Sequence, residues 1–433
     1  MRESSGPEPI FYGWYIVAVA FIANFMSTGT GFYAFNAFLE PLCQAHGWTR
    51  TQVNMALVIS TPFGFLGQFI YGTLIMRLGI KKLMMAGSLL GGVAFILLFQ
   101  TSSLGLFYFF YVLLFFGNYA YGGIVANSAV NNWFIKKKGA ALGIATSGIS
   151  FSGAVLPIIA MALIFRMGMT GASVCLGAMV IALAPLFWLV VVDWPEKRGL
   201  FPDGGSSDPA SAGKYSYPDP PPSAVGVTGA VPLPADGGRN RQTYWTLARL
   251  IRVPAFWQLG LAYAMAMMGV VGVMSQLKPR FVDVGFSDST AMILMTVTAF
   301  VGAVGKYIWG VLCDSINPTR VVSAIMIANA VGLVAALAAH SAVAIGVFIL
   351  LFGFAMGGVM ATYPIIVADL FGRESFTAVF RFMAVFLVMQ MAGYIIAGAS
   401  FDLTGSYNRA YGIFIGLDLI AAVIVFSVRR PVL

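Results

Sequence analysis

The chain alternates long hydrophobic segments with short polar connections, and this pattern predicts a helical membrane protein. A bilayer core of about 30 Å requires about 20 mainly apolar residues in one helix. Twelve segments reach that length, so we expect an all-α membrane protein with twelve transmembrane helices. The predicted spans are 13–38, 52–76, 82–101, 104–132, 138–165, 170–192, 255–277, 289–313, 320–339, 342–368, 376–400 and 407–428.

One long polar interval, 193–253, divides the spans into two sets of six. The prediction is an N-terminal bundle over 1–192, a cytoplasmic loop over 193–253 and a C-terminal bundle over 254–433. Within the loop, 202–238 is rich in Pro, Gly, Ser and Asp, which predicts disorder. Aromatic and basic residues at helical spacing over 244–252 predict an interfacial helix, with a simple lead-in to the seventh span as the alternative.

A stretch of the second predicted span recurs in the eighth. Residues 64–72 and 302–310 share three glycines, one isoleucine and two aromatic positions at a constant offset of 238. Duplicated halves are a recurring plan of secondary transporters, which hold substrate near the middle of the membrane between the halves. The repeat therefore predicts two pseudo-symmetric six-helix bundles.

Composition supports a lipid environment. Of 433 residues 59% are hydrophobic and 9% are charged, with a mean hydropathy of +0.86, whereas soluble domains carry about 25% charged residues. The net charge of +9 is spread over short loops, so a nucleic-acid partner is not expected. With the N-terminus in the cytosol, basic residues concentrate on the inner loops, including Arg320, Arg373 and Arg381 in the second half. This bias predicts a multi-pass protein of the plasma (inner) membrane with both termini cytoplasmic.

Other classes of function lack the residues they need. Cys43, Cys175 and Cys313 are scattered and the histidines are two, which disfavours a disulfide framework or a metal site. A membrane-embedded enzyme would need a His, Asp or Cys constellation at membrane depth, and ATP use would need a Gly-rich nucleotide motif. We expect no enzyme activity, cofactor or metal. The first span is long and lacks a small-residue cleavage site, so it is expected to be retained rather than cleaved as a signal peptide.

Three stretches resemble a known family. The loop after the second span resembles the G-x-L-x-D-R-x-G-R-K signature of the major facilitator superfamily, with Met76 where the acid belongs. The repeat of this loop in the second half keeps Asp314 and Arg320. Residues 11–14 (FYGW) and 133–148 (WFIKKKGAALGIATSG) resemble monocarboxylate porters and the related bacterial oxalate–formate antiporters.

This resemblance implies alternating-access transport of small monocarboxylates such as lactate or pyruvate, with proton-coupled symport. The alternatives are exchange of small organic acids of the oxalate or formate type, and a non-transporting receptor on the same fold. Export of a cationic drug is disfavoured because the interiors of the first six spans contain no acid. The expected partners are a small organic anion, a proton and membrane lipid, and a monomer is expected.

Lys306 is the main candidate for substrate binding. It lies inside the eighth span where the repeat has Gln68, so helix packing does not require the charge. A buried cation is expensive unless it has a function, and the resemblance implies that a cation on this helix pairs with the substrate carboxylate. A lysine that snorkels to the inner interface, or is neutral in the core, is the alternative. Gly302 takes the place of an acid common in the family, which leaves symport and exchange both open.

Other polar residues could complete the site or a gate. Asn24 and Thr28 share one face of the first span, and Asn118, Tyr119 and Gln390 are further candidates for substrate contact. Asp314 is expected to meet the amino end of the fifth span, with Lys137 and Arg320 nearby, and so to close the cytoplasmic side. Asp418 lies inside the last span, where a structural contact to a neighbouring helix is favoured over a proton relay.

Overall fold

The fold is a bundle of membrane-spanning helices. We analysed a computed structural model of the chain, which describes residues 10–204, 245, 247–338, 342–373 and 375–431. Within these residues eleven helices are long and apolar enough to cross a membrane, and one of them, Lys138–Val190, has 53 residues. Gly168 interrupts this helix with a φ of 72° and a ψ of 176°. The break separates two spans, so the prediction of twelve transmembrane helices is confirmed.

The spanning helices are labelled α1 to α12 in chain order. The first half contains Gly13–Tyr33 (α1), Arg50–Leu78 (α2), Ile80–Leu98 (α3), Leu104–Trp133 (α4), 138–167 (α5) and 169–190 (α6). The second half contains Pro254–Ser275 (α7), Asp288–Ser315 (α8), Pro318–Leu337 (α9), Ala342–Phe371 (α10), Phe376–Thr404 (α11) and Asn408–Ser427 (α12). Shorter helices are Phe35–His46, Pro195–Arg198, Pro202–Gly204, Leu247–Leu250 and Leu277–Asp283.

Local sequence signals explain where several helices begin. A capping box starts α2, because the Thr49 side chain accepts from the Gln52 amide at 3.2 Å and the Gln52 side chain accepts from the Thr49 amide at 2.9 Å. Ser287 caps α8 by accepting from the Thr290 amide at 3.2 Å. Pro254 and Pro318 occupy the first turns of α7 and α9, where a missing N–H costs nothing.

Three spans carry irregular backbone. A π-helical turn, Gly29–Tyr33, ends α1, and a 3₁₀ segment, Ala384–Gln390, interrupts α11. In α4 the helix breaks between Tyr121 and Gly123, whose φ is 52°. Such departures from α-helix recur at hinges and functional sites.

Two of the stretches that carry the family resemblance, 11–14 and 133–148, pack against each other. Phe11 lies 5.9 Å from Trp133 and 5.6 Å from Phe134, measured between ring centroids. Tyr12 and Trp14 add rings at 5.3 Å and 5.0 Å from Trp133 and Phe134 respectively. These motif residues therefore join the start of α1 to the end of α4 rather than lining a site.

The interval between the halves is described only at its ends. The predicted disordered segment lies mostly outside the described residues, which stop at Gly204 and resume at Trp245. Of the predicted interfacial helix, Leu247–Leu250 is helical, and Trp245 is buried against Phe371 with ring centroids 5.3 Å apart. The boundaries of the two bundles at 192 and 254 stay predictions.

Candidate substrate site and gate

Lys306 lies fully buried where α8 of the second half packs on α5 of the first half. Its ammonium donates to the Thr146 carbonyl at 3.2 Å. The snorkelling interpretation is therefore wrong, because the side chain is at neither the lipid surface nor the headgroups. An ammonium has three N–H donors. Among the described residues, Lys306 has one hydrogen-bond acceptor, the Thr146 carbonyl.

Glycines bring the two helices close enough for this contact. A Cβ at Gly143 on α5 would lie 2.7 Å from the Lys306 carbonyl oxygen, and one at Gly139 would overlap the carbonyl of Gly310. On its other side, α8 meets α10 through Gly305, where a Cβ would overlap the Phe354 carbonyl. Small residues at such crossings let helix backbones approach closely in membranes. Glycines on both helices therefore allow close backbone contact between α5 and α8.

Asn24 of α1 contacts the turn of α5 that Lys306 of α8 also contacts. Its amide donates to the Ala145 carbonyl at 3.0 Å, next to the carbonyl that Lys306 contacts. Its side-chain oxygen accepts from the Gly123 amide at 3.0 Å, at the break in α4. Asn24 and Lys306 thus bond to neighbouring carbonyls of α5, but both polar ends of Asn24 are already used in joining α1 to α4 and α5.

Asn118 is likewise engaged in helix packing. Its amide donates to the Ser27 carbonyl at 2.9 Å and to the Thr30 hydroxyl at 3.2 Å. Its side-chain oxygen accepts from the Tyr121 hydroxyl at 2.9 Å. These bonds join α4 to α1 beside the π-helical turn and leave Asn118 little capacity for a ligand.

Thr28, Tyr119 and Gln390 keep their polar groups available. All three side chains are half-buried, and within the described chain none has a hydrogen-bond partner. The Tyr119 ring packs so closely on Gly64 of α2 that a Cβ there would overlap it. Gln390 ends the 3₁₀ segment of α11. Of the residues selected for substrate contact, these three and Lys306 have donors or acceptors to offer.

The expected contact of Asp314 with the amino end of α5 is present. Its carboxylate oxygens accept from the Gly139 amide at 2.6 Å and from the Ala140 amide at 2.8 Å. The free amides of a helix amino end favour a negative charge. The Lys137 side chain is exposed, as is that of Arg320 at the start of α9. Neither reaches Asp314 through a described hydrogen bond, so this contact rests on backbone amides.

Asp203 is a second acid near the amino end of α5. The sequence pattern did not indicate it as a functional residue. It accepts from the Ile135, Lys136 and Lys137 amides at 2.9, 2.8 and 3.2 Å. Its φ of 60° is the left-handed conformation that non-glycine residues rarely adopt. The sequence Pro202-Asp203-Gly204 is a typical turn signal, but composition assigned it to the disordered segment.

Two arginines that were predicted to be ordinary loop charges also join the two halves near the amino end of α5. Arg373, between α10 and α11, contacts the Asn132 carbonyl, and its guanidinium lies 3.4 Å from a Glu196 oxygen. Arg381 on α11 donates to the Thr73 hydroxyl of α2 at 2.5 Å. Both therefore bridge to the first half.

These bonds share one membrane face. We call the membrane face where α1 begins and α12 ends the termini face. The same face contains the ends of α2, α4, α8 and α10 and the beginnings of α5 and α11. A bond between the Ser128 and Thr377 hydroxyls at 3.0 Å adds to the set. The structure thus joins the halves at the termini face, with Lys306 and Thr146 in contact deeper in the membrane.

Comparison with solved structures agrees with the fold. The chain is similar to the Escherichia coli fucose:proton symporter FucP, with a TM-score of 0.67 and 16% identity over 95% of this chain and 98% of that one. It is also similar to the human organic anion transporter MFSD10, with a TM-score of 0.67 and 15% identity over 96% of this chain and 100% of that one.

Sequence comparison identifies the family. An MFS-type transporter of Gibberella moniliformis is 23% identical over 432 residues, which cover 98% of this chain and 91% of the relative. The sequence model of the Major Facilitator Superfamily matches residues 19–284 and 259–433. The chain therefore belongs to the Major Facilitator Superfamily, and it is a multi-pass secondary transporter and not an enzyme.

Proposed function

We propose that this transporter carries small carboxylates, with Lys306 as the cation that binds the carboxylate group. The observation that carries the proposal is the burial of Lys306 between the two halves, where the Thr146 carbonyl is its one hydrogen-bond partner among the described residues. A buried charge without a counter-charge costs several kcal/mol. A bound carboxylate supplies both the counter-charge and acceptors for the remaining N–H groups.

The repeat supports a role in binding rather than in packing. Gln68 holds the equivalent position on α2 and is also largely buried, at 9% exposure. A neutral side chain of similar length is therefore compatible with this helix surface. The positive charge in the second half needs a separate reason, and a negatively charged substrate provides one.

A cationic substrate fits the protein poorly. It would meet the Lys306 charge between the halves, and the interiors of α1 to α6 offer no carboxylate to attract it. Among proteins of this fold, MFSD10 is an organic anion transporter and FucP is a proton symporter by their descriptions. Both the anionic substrate and the proton coupling proposed here thus have precedents within the fold.

We favour proton-coupled symport of a monocarboxylate such as lactate or pyruvate. Gly302 packs against α10, where a Cβ would lie 2.8 Å from the Met356 side chain and 3.1 Å from the Gly353 carbonyl. A carboxylate at 302 would not fit without moving α10. The proton must then be carried by another group, and we propose Lys306 for this role, since a lysine, unlike an arginine, shifts its pKa readily when buried and can act as a base. Exchange of oxalate- or formate-type anions is the second candidate, because a permanently charged Lys306 would favour it.

The contacts at the termini face form the proposed gate. The positive-inside bias supports a cytoplasmic location for that face, and on this proposal the conformation is closed to the cytoplasm. Alternating access then requires the bonds of Asp314, Arg373 and Arg381 to break as the halves rock apart around a fixed site.

Transport into proteoliposomes tests the substrate class. Labelled lactate should accumulate under an inward proton gradient, and Lys306→Gln should abolish this uptake while the same change at exposed Lys82 should not. Uptake that needs internal oxalate or formate and ignores the gradient would instead establish exchange. Absence of transport for lactate, pyruvate, oxalate and formate would refute the proposal, as would full activity of Lys306→Gln.

A further inference from the structure

The second half contains a buried acid that the transport mechanism does not use. Asp418 lies on α12 and Asn329 on α9, and both side chains are fully buried. The Asn329 amide nitrogen donates to Asp418 Oδ2 at 2.9 Å. The favoured sequence interpretation, a polar contact to a neighbouring helix, matches this bond.

This contact leaves two oxygens without a hydrogen-bond donor. Asp418 Oδ1 and Asn329 Oδ1 are both buried, and neither has a partner among the described residues. An ionised carboxylate and an amide oxygen are acceptors only. Two orphaned acceptors in one pair of side chains indicate that a donor is missing.

The surroundings do not supply a cation. Gly269 of α7 approaches Asp418, and a Cβ there would lie 3.8 Å from Oδ2 and 3.4 Å from Phe414 Cβ. Among the described residues Asp418 forms no salt bridge, and the hydrogen bond that it accepts comes from Asn329. The described residues also contain no group of three His, Cys, Asp or Glu side chains that could hold a metal ion. Two oxygens alone are too few for a calcium or magnesium site.

We propose that Asp418 is a resident proton-binding site, held as a neutral carboxylic acid that donates from Oδ1 to Asn329 Oδ1. One proton satisfies both orphaned oxygens at once and removes the cost of an unpaired buried charge. The two side chains then form a reciprocal acid–amide pair, in which each donates one hydrogen bond and accepts one. If the amide is turned over, moving the proton to Oδ2 preserves the same pairing.

The location separates this proton from the one proposed to be transported. Helices α7, α9 and α12 all belong to the second half, whereas Lys306 contacts α5 of the first half. A rocking motion between the halves leaves the packing within each half in place. Asp418 therefore keeps its proton throughout the cycle and ties α12 to α9, and the proton-relay role is disfavoured.

Infrared difference spectroscopy on the full-length protein in lipid vesicles tests the protonation state. Wild type minus Asp418→Asn should show the C=O stretch of a protonated carboxyl group, unchanged across neutral and mildly alkaline pH. The matched control is exposed Asp402, for which wild type minus Asp402→Asn should show carboxylate bands. In Asn329→Leu the carboxyl band should move to higher frequency, because its hydrogen bond is lost. Carboxylate bands for Asp418 would overturn the proposal.

A second measurement tests whether the proton is resident. Asp418→Asn preserves one donor and one acceptor toward Asn329, so its unfolding temperature and the pH profile of transport should match those of wild type. A changed number of protons moved per substrate would place Asp418 in the coupling pathway and overturn the proposal. The infrared result does not depend on the identity of the transported substrate, so it remains decisive if the proposed function fails.

Discussion

Replacing Asp314 with asparagine should open the termini face. The carboxylate accepts two backbone hydrogen bonds across the halves, at 2.6 and 2.8 Å. Asparagine keeps one acceptor oxygen but turns an NH₂ group toward the other amide, so one bond and the charge are lost. A hydrogen bond to a charged group contributes about 1.5–3 kcal/mol, and a charge at a helix amino end about 0.3–1 kcal/mol. Because Asp314 is exposed, we take the combined loss of closed-state stability as about 2 kcal/mol. This loss shifts the equilibrium about 30-fold toward the open state.

Cysteine accessibility measures this shift. Ser128 is fully buried on the termini face and bonded to Thr377 of the other half, so Ser128→Cys reports its opening. Introduced into a protein lacking the three native cysteines, it should react slowly with a polar maleimide. In a population that is mostly closed, the labelling rate follows the open fraction, so Asp314→Asn should raise it by about an order of magnitude or more.

A matched control separates the gate from a general loss of charge. Asp369 also lies near the termini face, but its partner Arg430, at 2.8 and 3.1 Å, belongs to the same half. Asp369→Asn should therefore leave the labelling rate of Cys at 128 near its starting value. Equal rates in all three proteins, or an equal rise in both variants, would refute the assignment of Asp314 to the gate.

Three further predictions concern the site and its packing. Lys306→Gln should fold but lose the substrate-induced rise in unfolding temperature, whereas Lys306→Arg should retain it with a different pH dependence; an unchanged shift in the Gln variant would contradict the binding role. Gly310→Ala would place a Cβ over the Gly139 carbonyl, and such overpacking costs about 1–3 kcal/mol. Maleimide labelling of Cys at 128 should therefore rise. Gly412→Ala, at a position with open space around it, should leave the labelling rate unchanged. Tyr119→Phe removes a hydroxyl that has no hydrogen-bond partner among the described residues, so substrate affinity should fall in a binding titration while thermal stability stays the same. The reverse pattern would assign Tyr119 to packing.

The fold was largely predictable because lipid imposes a simple rule on the sequence. Each span must be apolar over the bilayer thickness, and its backbone N–H and C=O groups must be hydrogen-bonded within the span, which favours a helix. A hydrophobic segment of sufficient length therefore predicts a transmembrane helix. What hydropathy could not reveal is irregular backbone within a span. The π-helical turn Gly29–Tyr33 and the 3₁₀ segment Ala384–Gln390 lie within continuous hydrophobic stretches, so the hydropathy pattern does not mark them.

The candidate site was predictable in part. Lys306 was selected because a charge in a hydrophobic span is conspicuous, and Asp314 because the repeat aligned it with the loop signature. Periodicity alone placed Asn24 on the correct helix face but could not show that Ala145 and Gly123 would occupy its amide. Asp203 was missed because segment composition outweighed a three-residue turn. Arg381 was missed because a basic residue near a span end resembles an ordinary loop charge.

The gate and the proposed site share one pair of helices, which has a consequence for transport. Lys306 and Asp314 are eight residues apart on α8, about 12 Å along the axis, and both bond to backbone groups of α5. A carboxylate that draws the ammonium away from the Thr146 carbonyl removes the deeper bond, so Asp314 and the glycine contacts then hold the interface. Substrate binding and opening of the termini face are therefore thermodynamically linked, and each must change the other by the same factor. The labelling rates of Lys306→Gln, Asp314→Asn and the double variant test this link. If both bonds hold the interface closed, each single variant should raise the labelling rate, and the double variant should raise it by about the product of the two factors when the bonds act independently. A labelling rate of Lys306→Gln equal to that of the starting protein would mean that Lys306 binds substrate without contributing to closure.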